Sequence, residues 1–165
     1  VSGPVNLKPR GKMHWIKTTT AGEMYQACLQ ITDYDIAVMS AAVADYTPVE
    51  VSEQKIKKNG DDLVLHLKKT PDILKSLGDQ KKAHQVLVGF ALETENETAN
   101  AQKKIKDKNA DMIILNSLND VGAGFKSDTN KITIFYKDGR TQVFDTKHKS
   151  LVAKDIVDSI TGLFQ

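Results

Sequence analysis

Three short stretches of uninterrupted apolar residues occur along the chain, and each predicts a β-strand. They lie within residues 35–40, 85–91 and 111–115, and longer segments of mixed polarity separate them. Apolar stretches of roughly four to eight residues are typical of strands that are buried on both faces of a parallel sheet. The sequence therefore predicts three buried strands at the centre of the fold.

The segments between these strands predict helices, because their apolar residues recur at intervals of three and four. Capping residues mark three helix starts, namely Thr20 with Glu23, Thr70 with Pro71 and Asp72, and Thr94 with Glu97. A fourth, closing helix is predicted near the C-terminus, and its apolar face consists of Val152, Ile156, Ile160 and Leu163. Strands and helices therefore alternate along the chain.

Shorter strands are predicted at residues 14–17, 63–67, 132–136 and 141–144, and the last two flank a hairpin turn. Residues 41–54 and 116–130 are predicted to be irregular. We expect a single α/β domain over residues 1–165, with a Rossmann-like, doubly wound, mainly parallel sheet and an appended antiparallel hairpin. Such a fold normally opens with a strand and a glycine-rich turn. Because residues 1–4 already have the character of a loop, we expect that first motif to be missing and the chain to be N-terminally truncated.

The charge distribution argues against a nucleic-acid partner. The formal net charge of the 165 residues is only +2, the basic residues are interspersed with acidic ones, and only Arg10 and Arg140 are arginines. A nucleic-acid surface usually concentrates basic residues and recruits arginine for base contacts.

The chain has no stretch of about 18 apolar residues and no secretory signal, so we expect no membrane association and a cytoplasmic location. The single cysteine, Cys28, cannot form an internal disulfide and lies on the apolar face of the first helix. We expect its side chain to be buried. The four histidines lie far apart without ligand spacing, which disfavours a zinc site.

Small side chains and one carboxylate follow the first apolar strand. Ala41, Ala42 and Asp45 lie where that strand meets the next loop, and open α/β sheets bind ligands at the carboxyl ends of their strands. Alanine lets backbone amides approach a flat ligand, and Asp45 suits a ribose hydroxyl or a Mg²⁺ ion. The alternative is that Asp45 is only a helix cap or a turn residue.

Lysines beyond this loop indicate a contact to phosphate. Lys55 and Lys57 share a face if the segment is extended, and Lys58 follows them directly. Lys55 is the preferred phosphate contact. The alternative is an edge strand whose lysines prevent aggregation.

Two further features suit a nucleotide. Phe90, near the end of the second apolar strand, either belongs to the core or supports a base ring. Lys104 and Lys108 share a helix face on which both can meet one polyphosphate, unless they only stabilise the negative helix end. Gly122 and Gly124 precede a strand pattern, so they do not form a dinucleotide-binding turn.

Six short motifs occur in the order and with the spacing seen in phosphopantothenate–cysteine ligases, the synthetase half of bifunctional bacterial coenzyme A biosynthesis flavoproteins. They are residues 1–5 (VSGPV), 41–46 (AAVADY), 55–58 (KIKK), 70–74 (TPDIL), 88–91 (VGFA) and 124–130 (GFKSDTN). The chain resembles this family over essentially its whole length.

The resemblance implies a CTP-dependent ligase. Members of this family activate the carboxylate of 4′-phosphopantothenate with CTP, which gives an acyl-cytidylate and pyrophosphate. The amine of cysteine then displaces CMP and forms 4′-phosphopantothenoylcysteine. Mg²⁺ accompanies CTP, and FMN is implied only where a phosphopantothenoylcysteine decarboxylase is fused upstream. A homodimer is also implied, with region 124–144 as the expected contact.

The resemblance also implies which residues form the site. The nucleotide-site positions of the family fall on Met39, Ser40, Ala41, Asp45, Lys55, Pro71, Asp72, Ile73, Leu74, Phe90, Lys104 and Lys108. Ala41 and Ala42 also match the place of the reacting carboxylate, and Lys55 is expected to stabilise the negative charge that develops on phosphate.

This chain departs from the family in one respect. Members carry a glycine-rich turn and an Asn-x-Ser-Ser-Gly-Lys-Met-Gly motif upstream of the position of Val1, so we expect little or no activity from residues 1–165 alone. The alternative function is a non-catalytic nucleotide-binding or interaction module of the same fold. A nicotinamide-dependent enzyme is disfavoured, because the glycine turn that such enzymes use is absent from the sequence.

Overall fold

The computed structural model describes residues 1–6, 9, 11–57, 62–93, 95–117 and 127–164. In chain order the elements are α1 (Ala21–Gln30), β1 (Ile36–Met39), β2 (Tyr46–Pro48), β3 (Leu67–Lys69), α2 (Ile73–Gln80), β4 (Val86–Glu93), α3 (Glu97–Lys108), β5 (Met112–Ser117), β6 (Thr129–Asn130), β7 (Ile132–Tyr136), β8 (Thr141–Val143), β9 (Lys147–His148), α4 (Lys149–Thr161) and a short 3₁₀ helix (Gly162–Phe164). Two compact units contain these elements. The first comprises Val1–Thr32 and Ala41–Ile73, and the second comprises Asp33–Ser40 and Leu74–Gln165.

A five-stranded sheet forms the second unit, in the order β1-β4-β5-β7-β8. β1, β4 and β5 are parallel, whereas β7 and β8 are antiparallel additions joined by a hairpin. Gly139 in the hairpin turn has φ +90°, a backbone conformation that residues with a side chain rarely adopt. The prediction of an α/β fold with a mainly parallel sheet and an antiparallel hairpin is thus confirmed.

Strand β5 is buried on both faces and divides the core into two layers. On one face, which we call the α4 face, Met112 and Ile114 belong to a cluster with Val152, Ile156 and Ile160 of α4. On the opposite face, Ile113 and Leu115 belong to a cluster with Ala101 and Ile105 of α3. The apolar stretch at 111–115 and the apolar face of the closing helix are therefore both confirmed as core.

Strand β1 differs from its prediction as a strand buried on both faces. Ile36 and Val38 are 40% and 44% exposed. Among the described residues, β1 pairs only with β4 and so forms an edge of the sheet. The prediction was wrong because β1 is as apolar as a central strand, and composition alone does not distinguish an edge strand from a central strand.

The first unit contains α1 and a two-stranded ribbon. Thr20 and Glu23 form the expected capping box, and Met24 and Cys28 are buried. The strand predicted at 14–17 is instead a single parallel bridge between Ser2 and Lys17. The strand predicted at 63–67 is shifted to Leu67–Lys69, where it pairs antiparallel with Tyr46–Pro48.

Two helix starts also differ from the prediction. Helix α2 begins at Ile73, and Thr70 does not cap it through its hydroxyl, which donates instead to the carbonyl of Ala44 at 2.7 Å. Helix α3 begins at Glu97 after Asn96, which makes no capping hydrogen bond through its side chain, while Thr94 lies outside the described residues. The short β6–β9 pair was not predicted, because two-residue strands carry no detectable periodicity.

Candidate functional site

Thr70 joins two of the predicted site motifs within the first unit. Its backbone N–H donates to the carbonyl of Asp45 at 2.9 Å, and its hydroxyl donates to the carbonyl of Ala44 at 2.7 Å. The β2–β3 ribbon continues from this point with Tyr46 opposite Lys69. These bonds therefore fix the loop that contains Ala41 and Asp45 beside the segment that contains Pro71 and Asp72. The two segments are about 25 residues apart in the sequence.

The small-residue loop is open to solvent. Ala41, Ala42 and Asp45 are all exposed, and the N–H of Val43 donates to the carbonyl of Ala41 at 3.1 Å in a tight turn. Methyl side chains leave the backbone of this turn accessible. The arrangement can present amides and one carboxylate to a polar ligand.

Lys55 and Lys57 are exposed, and neither forms a hydrogen bond or an ion pair within the part of the chain that the structure describes. Lys58 lies outside the described residues. Pro71 and Asp72 are exposed just before α2, whereas Ile73 is buried. The ammonium groups at 55 and 57 are thus available to an anionic ligand.

The remaining candidates belong to the second unit and lie near the carboxyl ends of β1 and β4. Met39, the last residue of β1, pairs with Gly89. A Cβ atom added at Gly89 would lie 2.7 Å from Cδ2 of Leu74 and 2.8 Å from Cδ1 of Ile113. Glycine at this position therefore allows Leu74, in the first turn of α2, to pack against β4 directly before Phe90.

A lysine of α3 contacts the end of β4. The ammonium of Lys104 donates to the carbonyl of Phe90 in a long hydrogen bond of 3.5 Å, and the ring of Phe90 packs, half-buried, against the α4-face core. At the end of α3, Asn109 donates from Nδ2 to the carbonyl of Gly78 at 2.8 Å and so anchors the turn after Lys108. Lys104 and Leu74 thus lie on the α3 side of the sheet, opposite to the ring of Phe90, and Lys104 reaches only the backbone of Phe90.

Further polar residues, which were not among the predicted site residues, lie near the ends of β4 and β5. Asn100 donates to the carboxylate of Glu93 at 3.1 Å, and Asn130 donates to the side chain of Asn116 at 2.8 Å. Asn116 directly follows the apolar stretch of a parallel strand. The same signal that identified Ala41 could therefore have identified it. Because Thr70 was interpreted as a helix cap, its hydrogen bonds with Ala44 and Asp45 were not predicted.

Two chemistries receive no support from the described residues. Within these residues no group of three or more histidine, cysteine, aspartate or glutamate side chains is placed to hold a metal ion. Burial raises the pKa of the Cys28 thiol, which disfavours the thiolate that a nucleophile needs.

Within the same part of the chain, no helix is both long and apolar enough to cross a bilayer.

Comparison with known proteins decides the family. The family described as "DNA/pantothenate metabolism flavoprotein C-terminal domain" matches residues 1–163. The chain belongs to this family. The family match agrees with the resemblance that the six motifs carry.

Two relatives of this domain have different names. The chain is 47% identical to a "Cysteine/Cysteine sulfinic acid decarboxylase" of an unidentified prokaryotic organism, over 99% of the chain and 46% of that protein. It is 44% identical to the "Coenzyme A biosynthesis bifunctional protein CoaBC" of Bacillus subtilis, over 99% of the chain and 40% of that protein. The chain thus spans less than half the length of these relatives.

Solved structures show the same fold. A crystal structure of the C-terminal domain of a CoaBC protein matches with a TM-score of 0.81 and 33% identity, covering 98% of this chain and 71% of that one. The structure titled "Cab2 mutant H337A complex with phosphopantothenate-cysteine" matches with a TM-score of 0.65 and 17% identity, covering 87% and 51%. At that identity the second match shows the fold alone.

Proposed function

We propose that this domain catalyses the CTP-dependent ligation of 4′-phosphopantothenate to cysteine in coenzyme A biosynthesis. The observation that carries the proposal is the pair of hydrogen bonds from Thr70 to the carbonyls of Ala44 and Asp45. These bonds join two motifs that the family resemblance assigns to one nucleotide site. The 44% identity to CoaBC of Bacillus subtilis supports the same function.

The reaction proceeds in two balanced steps. An oxygen of the substrate carboxylate attacks the α-phosphorus of CTP, which forms the acyl-cytidylate and expels pyrophosphate. The amine of cysteine then attacks the acyl carbon, loses a proton and expels CMP. Both steps build negative charge on oxygen atoms, and fixed donors aimed at that charge are the expected catalyst.

We assign these donors to the small-residue loop and to Lys55. The exposed turn at Ala41 and Ala42 presents backbone groups to the carboxylate that reacts. Lys55 has an ammonium without a partner among the described residues, so it can neutralise the triphosphate as pyrophosphate leaves. The family resemblance assigns the remaining nucleotide contacts, with Phe90 as the support of the base and Lys104 and Lys108 as phosphate contacts. It adds Met39, Ser40, Asp45 and residues 71–74 to the nucleotide contacts.

We propose that Mg²⁺ enters with CTP. A Mg²⁺ ion that is bound to phosphates keeps several waters and needs few carboxylates. This fits a site whose described part has the exposed Asp45 but no carboxylate cluster. FMN would belong to a fused decarboxylase, a fusion that the name "bifunctional protein" of the CoaBC relatives supports.

We propose that a second copy of the domain covers the β2–β3 ribbon. Apolar side chains of this region are unusually exposed, namely Tyr46, Val49, Val51, Ile56, Leu63, Val64, Leu65 and Leu67. Exposed apolar patches usually mark a protein–protein contact. Part of the region first expected to form the contact, residues 124–126, lies outside the described residues.

One observation favours a second candidate function. The relative with 47% identity is named as a decarboxylase and not as a ligase. In such a protein the domain could act as a non-catalytic nucleotide-binding or interaction module. Both candidates predict CTP binding, but only the ligase releases pyrophosphate from CTP when 4′-phosphopantothenate is added.

The test is pyrophosphate release by the full-length gene product with CTP, 4′-phosphopantothenate and cysteine, each omitted in turn. We expect release that requires both CTP and 4′-phosphopantothenate. Lys55→Ala should lower the rate by about 10²–10³, by analogy with the loss of one oxyanion donor. Lys154→Ala, which removes an exposed lysine of α4 paired with Asp158, is the matched control and should retain the wild-type rate. CTP binding without pyrophosphate release would favour the non-catalytic module.

A further inference from the structure

The amide of Asn116 is oriented by a chain of hydrogen bonds within the second unit. The backbone N–H of Lys131 donates to Oδ1 of Asn130 at 3.1 Å, which leaves Nδ2 of Asn130 as the donor. This Nδ2 donates to Asn116 at 2.8 Å, so the acceptor there is Oδ1. The Nδ2 group of Asn116 is therefore turned away from Asn130, and it makes no hydrogen bond within the described part of the chain.

Backbone pairing holds the orienting residue in place. Asn130 belongs to β6 and lies opposite Lys147 of β9. Directly before it, the backbone N–H of Thr129 donates to the hydroxyl of Ser127 at 3.2 Å. Asn130 therefore lies in a segment that backbone pairing holds in place, and a backbone N–H orients its side-chain amide. This amide in turn orients the side chain of Asn116.

Apolar side chains are the strand neighbours of Asn116 on the α4 face. Met112, Ile114 and Asn116 alternate on the same side of β5, and Phe90 packs against the core of that side. The sheet register places Leu92 beside Asn116 and Phe90 beside Ile114. Leu92 is 39% exposed although it adjoins a buried strand. An oriented donor beside a partly exposed aliphatic side chain, with an aromatic ring diagonally across the two strands, suits a flat polar ring.

We infer that Asn116 is a specificity residue, which donates from Nδ2 to the ring carbonyl oxygen of a pyrimidine nucleotide, and that Asn130 is its positioning residue. The inference rests on the proposed function, in which Phe90 supports the base. Cytosine and uracil both carry a carbonyl oxygen at ring position 2, whereas adenine has no ring carbonyl. An amide that only donates thus favours pyrimidines over adenine.

The decisive variant is Asn116→Asp in the full-length gene product. Aspartate has nearly the same shape and still accepts the hydrogen bond from Asn130, but it has no donor to offer a carbonyl oxygen. Calorimetric titrations with CTP, UTP, ATP and inorganic tripolyphosphate separate a base contact from a phosphate contact. We expect CTP and UTP to bind at least about tenfold more weakly to the variant, with ATP and tripolyphosphate unchanged.

Two further variants complete the experiment. Asn130→Ala frees the amide of Asn116 to rotate, so it should weaken CTP binding by about threefold and leave tripolyphosphate binding unchanged. Gln142→Ala removes another hydrogen-bonded amide of the same sheet, which accepts from Tyr136, and it should bind every ligand as the wild type does.

Three results would overturn the inference. Unchanged CTP affinity in Asn116→Asp removes the base contact while the proposed function stands. Equal weakening of CTP and tripolyphosphate assigns Asn116 to phosphate instead. Absence of CTP binding in the wild type overturns the proposed function, and the inference falls with it.

Discussion

Lys81 and Asp111 form the most buried ion pair among the described residues. The ammonium of Lys81 lies 2.6 Å from both carboxylate oxygens, and the two side chains are only 7% and 21% exposed. Asp111 also accepts the backbone N–H of Leu87 at 2.7 Å. The pair therefore ties the residue after α2 to the starts of β4 and β5.

Replacing Lys81 with methionine should destabilise the protein strongly, because it leaves the Asp111 carboxylate partly buried and without its cation. We expect the free energy of unfolding to fall by about 3 kcal/mol. Urea denaturation followed by circular dichroism measures this change. Lys154→Met, which breaks an exposed pair with Asp158, is the control and should leave the midpoint unchanged. Equal midpoints for the two variants would show that the Lys81–Asp111 pair does not stabilise the fold.

The candidate site residues were proposed one by one from the sequence, whereas the contacts between them could not be predicted. Phe90 and Lys104 were each identified from their own strand or helix. The hydrogen bond between them depends on how α3 packs on the sheet. Thr70 was taken for a helix cap because its partners, Ala44 and Asp45, are distant in the sequence. Asn116 was overlooked because a single asparagine after a strand carries little information until its partner Asn130 is known.

Among helices and strands, the contact between α2 and the end of α3 depends on one glycine. A Cβ atom added at Gly78 would lie 1.8 Å from the backbone oxygen of Lys108, which is far inside the van der Waals limit. The carbonyl of Gly78 also accepts the side chain of Asn109. Helix α2 can approach the end of α3 only because residue 78 has no side chain.

Gly78→Ala should therefore destabilise the protein although alanine favours helices. Alanine gains about 1 kcal/mol of helix propensity, but the backbone clash costs more, and we expect a net loss of about 2 kcal/mol. Thermal unfolding measures the loss. Gly162→Ala is the matched control, because a Cβ atom there meets nothing within 4 Å. A Gly78→Ala variant as stable as the control would contradict the close packing of the two helices.

The fold was predictable where a local pattern determines the outcome. Uninterrupted apolar stretches and helical spacing predicted β4, β5, α1 and α4, because each of these elements buries apolar side chains. Alternation on either side of a turn predicted the β7–β8 hairpin, in which β7 is largely buried and β8 is exposed. These patterns misjudged β1, whose exposure depends on having one neighbour strand. They also misplaced the strand at 63–67, because its pairing with β2 is decided by long-range register and not by its own apolar residues.

For the whole molecule, the exposed ribbon predicts self-association. Val64 is 71% exposed in the segment between β2 and β3. Val64→Lys should convert a dimer of the full-length gene product to a monomer, because a buried lysine without a partner is costly at an interface. Light scattering after size-exclusion chromatography measures the mass. Val143→Lys makes the same change at an exposed valine of β8, in the region first expected to form the contact. Dissociation by Val143→Lys alone would move the interface to the hairpin.

The central claim, an acyl-cytidylate formed at this site, is tested most directly by following the carboxylate oxygens of 4′-phosphopantothenate. The substrate is labelled with ¹⁸O in its carboxylate and turned over with CTP and cysteine by the full-length gene product, and the nucleotide product is analysed by mass spectrometry. Attack on the α-phosphorus transfers one labelled oxygen to CMP, and this is the result that we predict. Label in inorganic phosphate, or CMP without label, would contradict the account.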